Sequence, residues 1–313
     1  MDLYNLGRVD WIASQSLYHA LALLGREGLI ICYPDSPYVC LGLHDDLDHE
    51  IDQDFCQSQG IPLLRRETGG GVVYLDDRQI FYQLVLRRDN PLLPLRRTRF
   101  YQKFLNPVRA VCRDLGLTAE IREPADLMVR GRKCSGNACG DIGECVAYVG
   151  NLLLEFDFQT MSRVLRLPHK TFRRFLRQAM RSHMTTLADW CGPEVAHSRI
   201  AGELIRNFAW ELGEMVPRIV DRELEEAARQ VGERLTSRPW LEIPGRRPAA
   251  RRVKIAEGTY LAELVVSPEE RYLVLKQDET EIKIRIEPFE EVAVDLNAYQ
   301  GGKSDGSQGV FDS

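Results

Sequence analysis

The chain has 313 residues, 44% of them hydrophobic, enough to bury a substantial core and long enough for one large unit plus a smaller one. Its 41 basic and 46 acidic residues leave a formal net charge of -5, which argues against a general binder of phosphate backbones, so no nucleic-acid partner is expected. The first residues lack the basic region and apolar run of a signal peptide, and no later run has the roughly 18 uninterrupted apolar residues of a membrane span. The expectation is a cytoplasmic protein with no membrane partner. Eight cysteines are too sparse for a disulfide scaffold. Cys134, Cys139 and Cys145 lack the two-residue spacing of structural zinc, and His44, His49, His169 and His183 form no ligand spacing either, so no protein-held metal is assigned.

Asp10 can cap a helix beginning at Trp11, whose apolar positions Trp11, Ala13, Leu17, Ala20, Leu21 and Leu24 form one buried face. Short β-rich runs follow at 29–32, 38–42, 62–65, 72–75 and 80–86, separated by turns, which suggests hairpins and an α+β fold. Apolar positions at three- and four-residue intervals place a helix over 98–115 despite Pro107. A second group of strands is predicted at 119–121, 126–129, 133–138, 145–149 and 152–156, then an arginine-rich helix over 170–181 and two more helices at about 198–215 and 222–235. From Pro244 a basic, turn-rich connector leads to four alternating segments at 252–255, 260–266, 271–276 and 281–286. The expected division is a domain over 1–243, a small β-rich accessory domain over 244–298, and a disordered tail over 299–313. The small domain is expected to rest on the first through Tyr260, Leu264, Tyr272 or Leu275.

Two stretches carry chemistry. In Arg65-Arg66-Glu67-Thr68-Gly69-Gly70-Gly71, three glycines remove every Cβ from one turn, so backbone N–H groups can approach the oxygens of a phosphate or carboxylate. On a strand the two arginines point to opposite faces, so only one can line a pocket. In Gly131-Arg132-Lys133-Cys134-Ser135-Gly136-Asn137-Ala138, alternation puts Lys133, Ser135 and Asn137 on one face. A lysine there can neutralise a carboxylate and an α-phosphate brought together, then polarise an acyl carbonyl. Asp126 can help hold a magnesium ion or orient that lysine. Each stretch alone has an ordinary reading, a hairpin turn or a solvated lysine; the pair is more specific.

Together these residues resemble the lipoate-protein ligase family, within the biotin and lipoate ligase superfamily. Support comes from 14–21, 40–42, 150–157 and 181–187. The resemblance implies an α+β catalytic domain with a mixed or antiparallel sheet and packed helices. Lys133 would contact the acyl carbonyl and α-phosphate; Gly69, Gly70 and Gly71 would cover the acyl-adenylate; Arg66 would frame its pocket; and Ser135, Gly136, Asn137 and Ala138 would complete it, with Asp126 near the phosphates or metal. It further implies ATP with Mg2+, lipoate or octanoate as the acid, lipoyl-AMP as intermediate, and a lysine of a lipoyl-acceptor domain as the final target.

The chain departs from the family pattern at Leu75 and Val149, where histidine is common, and at Ala125, where asparagine is common. Two rival readings follow: an octanoyl or lipoyl transferase acting through a cysteine thioester, with Cys145 and Cys191 as candidates, and a non-catalytic lipoate-binding subunit. The glycine-rich hallmark of biotin ligases is absent.

Overall fold

The structure, a computed structural model, describes residues 1–286 apart from 95, 193–194 and 268–269, so the expected tail and the last part of the accessory domain lie outside the described residues. The architecture is α+β, as expected. Its centre is a six-stranded mixed sheet in the order Asn137–Ile142, Cys145–Leu153, Gln79–Arg87, Gly28–Pro34, Asp2–Val9 and Val216–Pro217. The last three strands run parallel to one another and the remaining pairings are antiparallel. The strand Asp2–Val9 was not predicted: Asn5 and Gly7 interrupt its alternation, and a bulge lies between them.

One helix, Ala13–Leu23, packs over this sheet and against the helix Arg222–Thr236. It is started by Asp10, whose Oδ1 accepts from the backbone N–H groups of Ile12 at 2.9 Å and Ala13 at 3.4 Å. On another side Arg97–Asp114 packs on His197–Leu212, and the Pro107 ring is tolerated within one continuous helix. Two three-stranded sheets complete the body: Leu63–Arg65, Tyr38–Leu41 and Val73–Leu75, then Ala119–Arg122, Asp126–Val129 and Arg132–Ser135. No helix among the described residues is long and apolar enough to cross a membrane.

The four C-terminal segments form an antiparallel meander, Arg252–Ala256, Thr259–Ser267, Glu270–Gln277 and Thr280–Ile286. Its inner face matches the expected one at Leu275 alone. Of the four residues named as anchors only Leu275 joins the core, with Val253, Ile255, Leu261 and Leu273. Leu264 is exposed, Tyr260 lies under the Arg252 guanidinium, and the Tyr272 hydroxyl donates to Glu270. Strand side chains alternate, so Tyr260 and Leu264 turn to the face opposite Leu261, and Tyr272 to the face opposite Leu273 and Leu275. The inner residues pack on Phe172, Phe175 and Leu176 of the helix Lys170–His183, whose Phe172, Phe175, Leu176, Ala179 and Met180 recur along one face. Each large apolar side chain buried here contributes about 1.5–3 kcal/mol.

Candidate functional site

The glycine turn and the lysine strand meet at one cleft of about 230 Å³. Its walls come from the glycine turn, the central strand Gln79–Arg87, the lysine strand, the helix Lys170–His183 and the first strand of the C-terminal meander. Gly70, Gly71, Arg66, Asp126, Lys133, Gly136, Asn137 and Ala138 line it; Gly69 and Ser135 do not.

Lys133 Nζ lies 2.9 Å from Asp126 Oδ1, and the backbone N–H of Glu257 donates to Asp126 Oδ2 at 2.7 Å. Asp126 is thus buried between a cation and an amide, with both oxygens engaged. Lys133 is held from behind: its carbonyl accepts from Thr185 N–H at 2.8 Å, and Met184 bridges it in parallel. The side chain of Lys133 crosses directly over Gly136, where a Cβ would meet its Cε and Nζ at 3.3 Å. A side chain at Gly136 would have to displace the end of Lys133 by a few tenths of an ångström.

The alternation expected for the lysine strand is broken. A register shift between Leu127 and Met128 puts Met128 opposite Lys133 and Leu127 opposite Ser135. Ser135 is fully buried and bonded to the Tyr82 hydroxyl at 2.7 Å. Asn137 faces the cleft, yet its amide is fully occupied. Its Oδ1 accepts from Tyr82 at 2.6 Å and Tyr148 at 2.9 Å, while its Nδ2 donates to the Ala125 carbonyl at 2.8 Å and to Ser135 at 3.1 Å. An asparagine amide makes four such bonds at most, so the half-buried Asn137 and the buried Ser135 act as a fixed support for this part of the cleft.

Both arginines of the motif are buried and act in different places. Arg66 donates from Nε and Nη2 to the Gly69 carbonyl at 3.2 and 2.8 Å, from Nη2 to the Gly71 carbonyl at 2.9 Å, and from Nη1 to the Cys40 carbonyl at 3.2 Å. It fixes the shape of the glycine turn. Of the three glycines, only Gly70 needs to be one by conformation, with φ +89° and a would-be Cβ 2.9 Å from Arg66 Nη2; a Cβ on Gly71 would meet nothing within 4 Å. Arg65 points the other way, donating to the carbonyls of Gly42, Leu43 and Asp45 and to those of Leu241 and Ile243.

Several cleft residues carry no motif and were not singled out as a site. Leu75 and Val149 stand where the family commonly has histidine, and with Val73, Phe81, Leu153, Phe156, Met161, Met180 and Met184 they make the walls largely apolar. Val253, Lys254, Ile255 and Glu257 join from the C-terminal meander, although every residue expected to carry the adenylation chemistry precedes residue 140. His19 lies beneath the glycine motif. Its Nδ1 meets the Gln15 carbonyl at 2.8 Å and its Nε2 accepts from Glu67 N–H at 3.1 Å, so the ring is neutral, and burial pulls its pKa down to about 4.

Neither candidate nucleophilic cysteine reaches the cleft. Cys145 is buried at the start of its strand, and burial pushes its thiol pKa up; Cys191 is exposed on the short helix Ala188–Cys191, and partial burial raises its pKa also. The cysteine that does line it, Cys40, is buried, and desolvation raises its pKa despite the Arg66 guanidinium. No group of three or more His, Cys, Asp or Glu residues placed to hold a metal occurs among the described residues.

Residues 8–209 match the lipoyl protein ligase A/B catalytic domain. The chain is 26% identical over 226 residues to octanoyltransferase LipM of Kyrpidia tusciae, covering 65% of this chain and 81% of that protein. It is 22% identical over 183 residues to lipoate-protein ligase LplJ of Bacillus subtilis, covering 58% of this chain and 54% of that one. Among solved structures, the bi-partite lipoate protein ligase of Thermoplasma acidophilum shares the fold with a TM-score of 0.69 at 22% identity, over 79% of this chain and 98% of that one. A lipoate-protein ligase A bound with ATP gives a TM-score of 0.64 at 22% identity, over 77% and 98%. The match spans most of the body that builds the cleft, and the chain belongs to the lipoyl protein ligase A/B catalytic domain family.

Proposed function

We propose that the chain is an ATP-dependent lipoate-protein ligase that converts a medium-chain acid, lipoate or octanoate, to its acyl-adenylate and passes the acyl group to a lysine of a lipoyl-acceptor domain. The observation that carries the reading is Lys133, held against Asp126 between an apolar slot and a turn of exposed backbone. In the first step a carboxylate oxygen of the acid attacks the α-phosphorus of ATP and pyrophosphate leaves. Lys133 would offset the repulsion between the two anions, and backbone N–H groups of the glycine turn would contact their oxygens. In the second step the acceptor amine attacks the acyl carbonyl, which Lys133 polarises, and AMP leaves. Alignment and charge neutralisation supply most of the catalysis, because the mixed anhydride is already activated. A magnesium ion carried by the nucleotide would offset the phosphate charge, and Asp126 and Glu257 are the carboxylates lining the cleft that would stand near it. A solved neighbour pairs a bi-partite ligase with its E2 lipoyl domain, which supports an acceptor of that kind.

A second reading, transfer of octanoate through a cysteine thioester, is favoured by the octanoyltransferase relatives. The positions of Cys145 and Cys191 away from the cleft, and the raised pKa values of these two and of Cys40, weigh against it. Pyrophosphate release from ATP plus lipoate or octanoate separates the two. Release with either acid supports the ligase; acylation of the acceptor from an octanoyl carrier protein without ATP overturns it.

A further inference from the structure

We propose that Gln83 determines specificity at the closed end of the cleft, and that the preferred acid carries a hydrogen-bond donor, a hydroxyl or a thiol, near its far end. This rests on the acid-binding reading above, with the carboxylate at Lys133. The strand Gln79–Arg87 supplies the ruler. Gln79, Phe81 and Gln83 share the face that lines the cleft. Gln79 marks the Lys133 end: Asn151 Nδ2 donates to Gln79 Oε1 at 2.6 Å, and Asn151 Oδ1 accepts from the N–H of Gly136, the glycine under Lys133, at 3.0 Å. Gln83 lies four residues on, about 13 Å away along an extended strand. That distance suits a medium-chain acid stretched between them.

The far end is closed, with Gln15 6%, Cys40 0% and Gln83 1% exposed. It is not an apolar terminus. Gln83 Nε2 donates to the Ser14 carbonyl at 2.6 Å, which fixes the amide so that Oε1 is the free acceptor, and that buried atom has no hydrogen-bond partner among the described residues. Gln15, its neighbour on the wall, already has a partner at each end of its amide: Nε2 donates to the Tyr38 hydroxyl at 2.9 Å and Oε1 accepts from the Tyr18 hydroxyl at 3.3 Å. A buried acceptor without a donor favours a ligand that brings one and discriminates against an analogue that lacks it. Octanoate offers only a methyl group, and the ring sulfurs of lipoate bear no hydrogen. An ω-hydroxy acid or the dithiol form of lipoate offers a donor.

The test is calorimetric binding to the full chain of octanoate, its ω-hydroxy derivative, lipoate and dihydrolipoate, with Gln83→Met as the variant. The ω-hydroxy acid should bind at least about fivefold more tightly than octanoate, and dihydrolipoate more tightly than lipoate, with both ratios falling towards one in the variant. The hydroxyl and thiol pairs separate the two donor chemistries. Equal binding of octanoate and its hydroxy derivative overturns the inference while leaving the acid-binding reading intact; binding of none of the four removes both. A preference that survives in Gln83→Met overturns the role of Gln83, and the wild-type ratios stand as a test should that variant not fold.

Discussion

Glu257 reaches from the C-terminal meander to donate its backbone N–H to Asp126 Oδ2 at 2.7 Å, on the carboxylate whose other oxygen meets Lys133. The site is therefore closed by a segment more than a hundred residues beyond the lysine strand. That contact changes what the meander is expected to do. A unit acting only in transfer would leave the first half-reaction untouched, whereas this one supplies a wall of the cleft.

Ile255→Ala should accordingly slow both pyrophosphate release and acceptor acylation. Ile255 is buried in the shared core and lines the cleft, so the substitution should also cost about 2–4 kcal/mol. Leu264→Ala, on the exposed face of the same sheet, should stay within about 0.5 kcal/mol of wild type. Denaturant titration with both half-reaction assays checks this. An unchanged first step in a folded Ile255→Ala protein would show that the meander takes no part in adenylation.

Lys133→Ala should reduce pyrophosphate release by about a hundredfold or more, since no other cation pairs with Asp126 among the described residues. Removing it leaves a buried carboxylate without its cation. The expected stability loss is about 2 kcal/mol, between an exposed pair and a fully buried one. Release at near the wild-type rate in a protein with unchanged circular dichroism would refute the assignment.

Gly70→Val and Gly71→Ala should differ sharply although the residues are adjacent. The first places a β-branched residue at φ +89° against Arg66; the second adds a methyl group to open space. Gly70→Val should destabilise by about 1–3 kcal/mol and lose affinity for a non-hydrolysable lipoyl-adenylate analogue. Gly71→Ala should melt within a degree or two of wild type. Similar melting temperatures for the two variants would count against this account of the turn.

His19 makes stability depend on pH. Its pKa falls from about 6.5 unfolded to about 4 folded, so the unfolded chain binds the extra proton between those values. The contribution is complete above pH 6.5, is lost as pH falls towards 4, and amounts to roughly 3 kcal/mol. Asp76 acts oppositely, because burial raises its pKa to about 6, so its contribution declines as pH rises from 3.8 towards 6. Urea titrations across this range should show His19→Gln losing the rise with pH and exposing the decline due to Asp76. A variant profile parallel to wild type would show that His19 does not titrate as described.

Much of the fold was legible because periodicity and turn chemistry act locally. The helices around Leu17, Phe104 and Phe175 and the four C-terminal strands follow directly from spacing. What escaped were features set by packing across the molecule. The parity of the C-terminal strands depends on which face meets Phe172 and Phe175, and both parities carry apolar residues. The bulge opposite Leu127, which takes Ser135 out of the cleft, follows from a register shift that alternation alone does not contain. The small helices Leu47–Glu50, Gln53–Ser58 and Phe158–Val164 are too short for a periodic signal, and their caps, Asp46, Asp52 and Asp157, were the readable sign. His19 and Gln83 escaped because nothing in sequence tells a buried, partnered or unpartnered polar group from a surface one.

The pair Arg65-Arg66 has a bearing on how mutational scans of this chain are interpreted. Arg65 joins the loop carbonyls of Gly42, Leu43 and Asp45 to those of Leu241 and Ile243, on the threshold of the connector, and its guanidinium fork spans acceptors far apart in the chain. A lysine has one compact donor centre and cannot span both groups. Loss of function at Arg65 would thus report a detached connector and lower abundance in the cell, while loss at Arg66 would report a misshapen glycine turn in a protein present at normal levels. Two neighbouring letters of one motif would give the same phenotype for unrelated reasons, and measuring protein abundance beside activity would tell them apart.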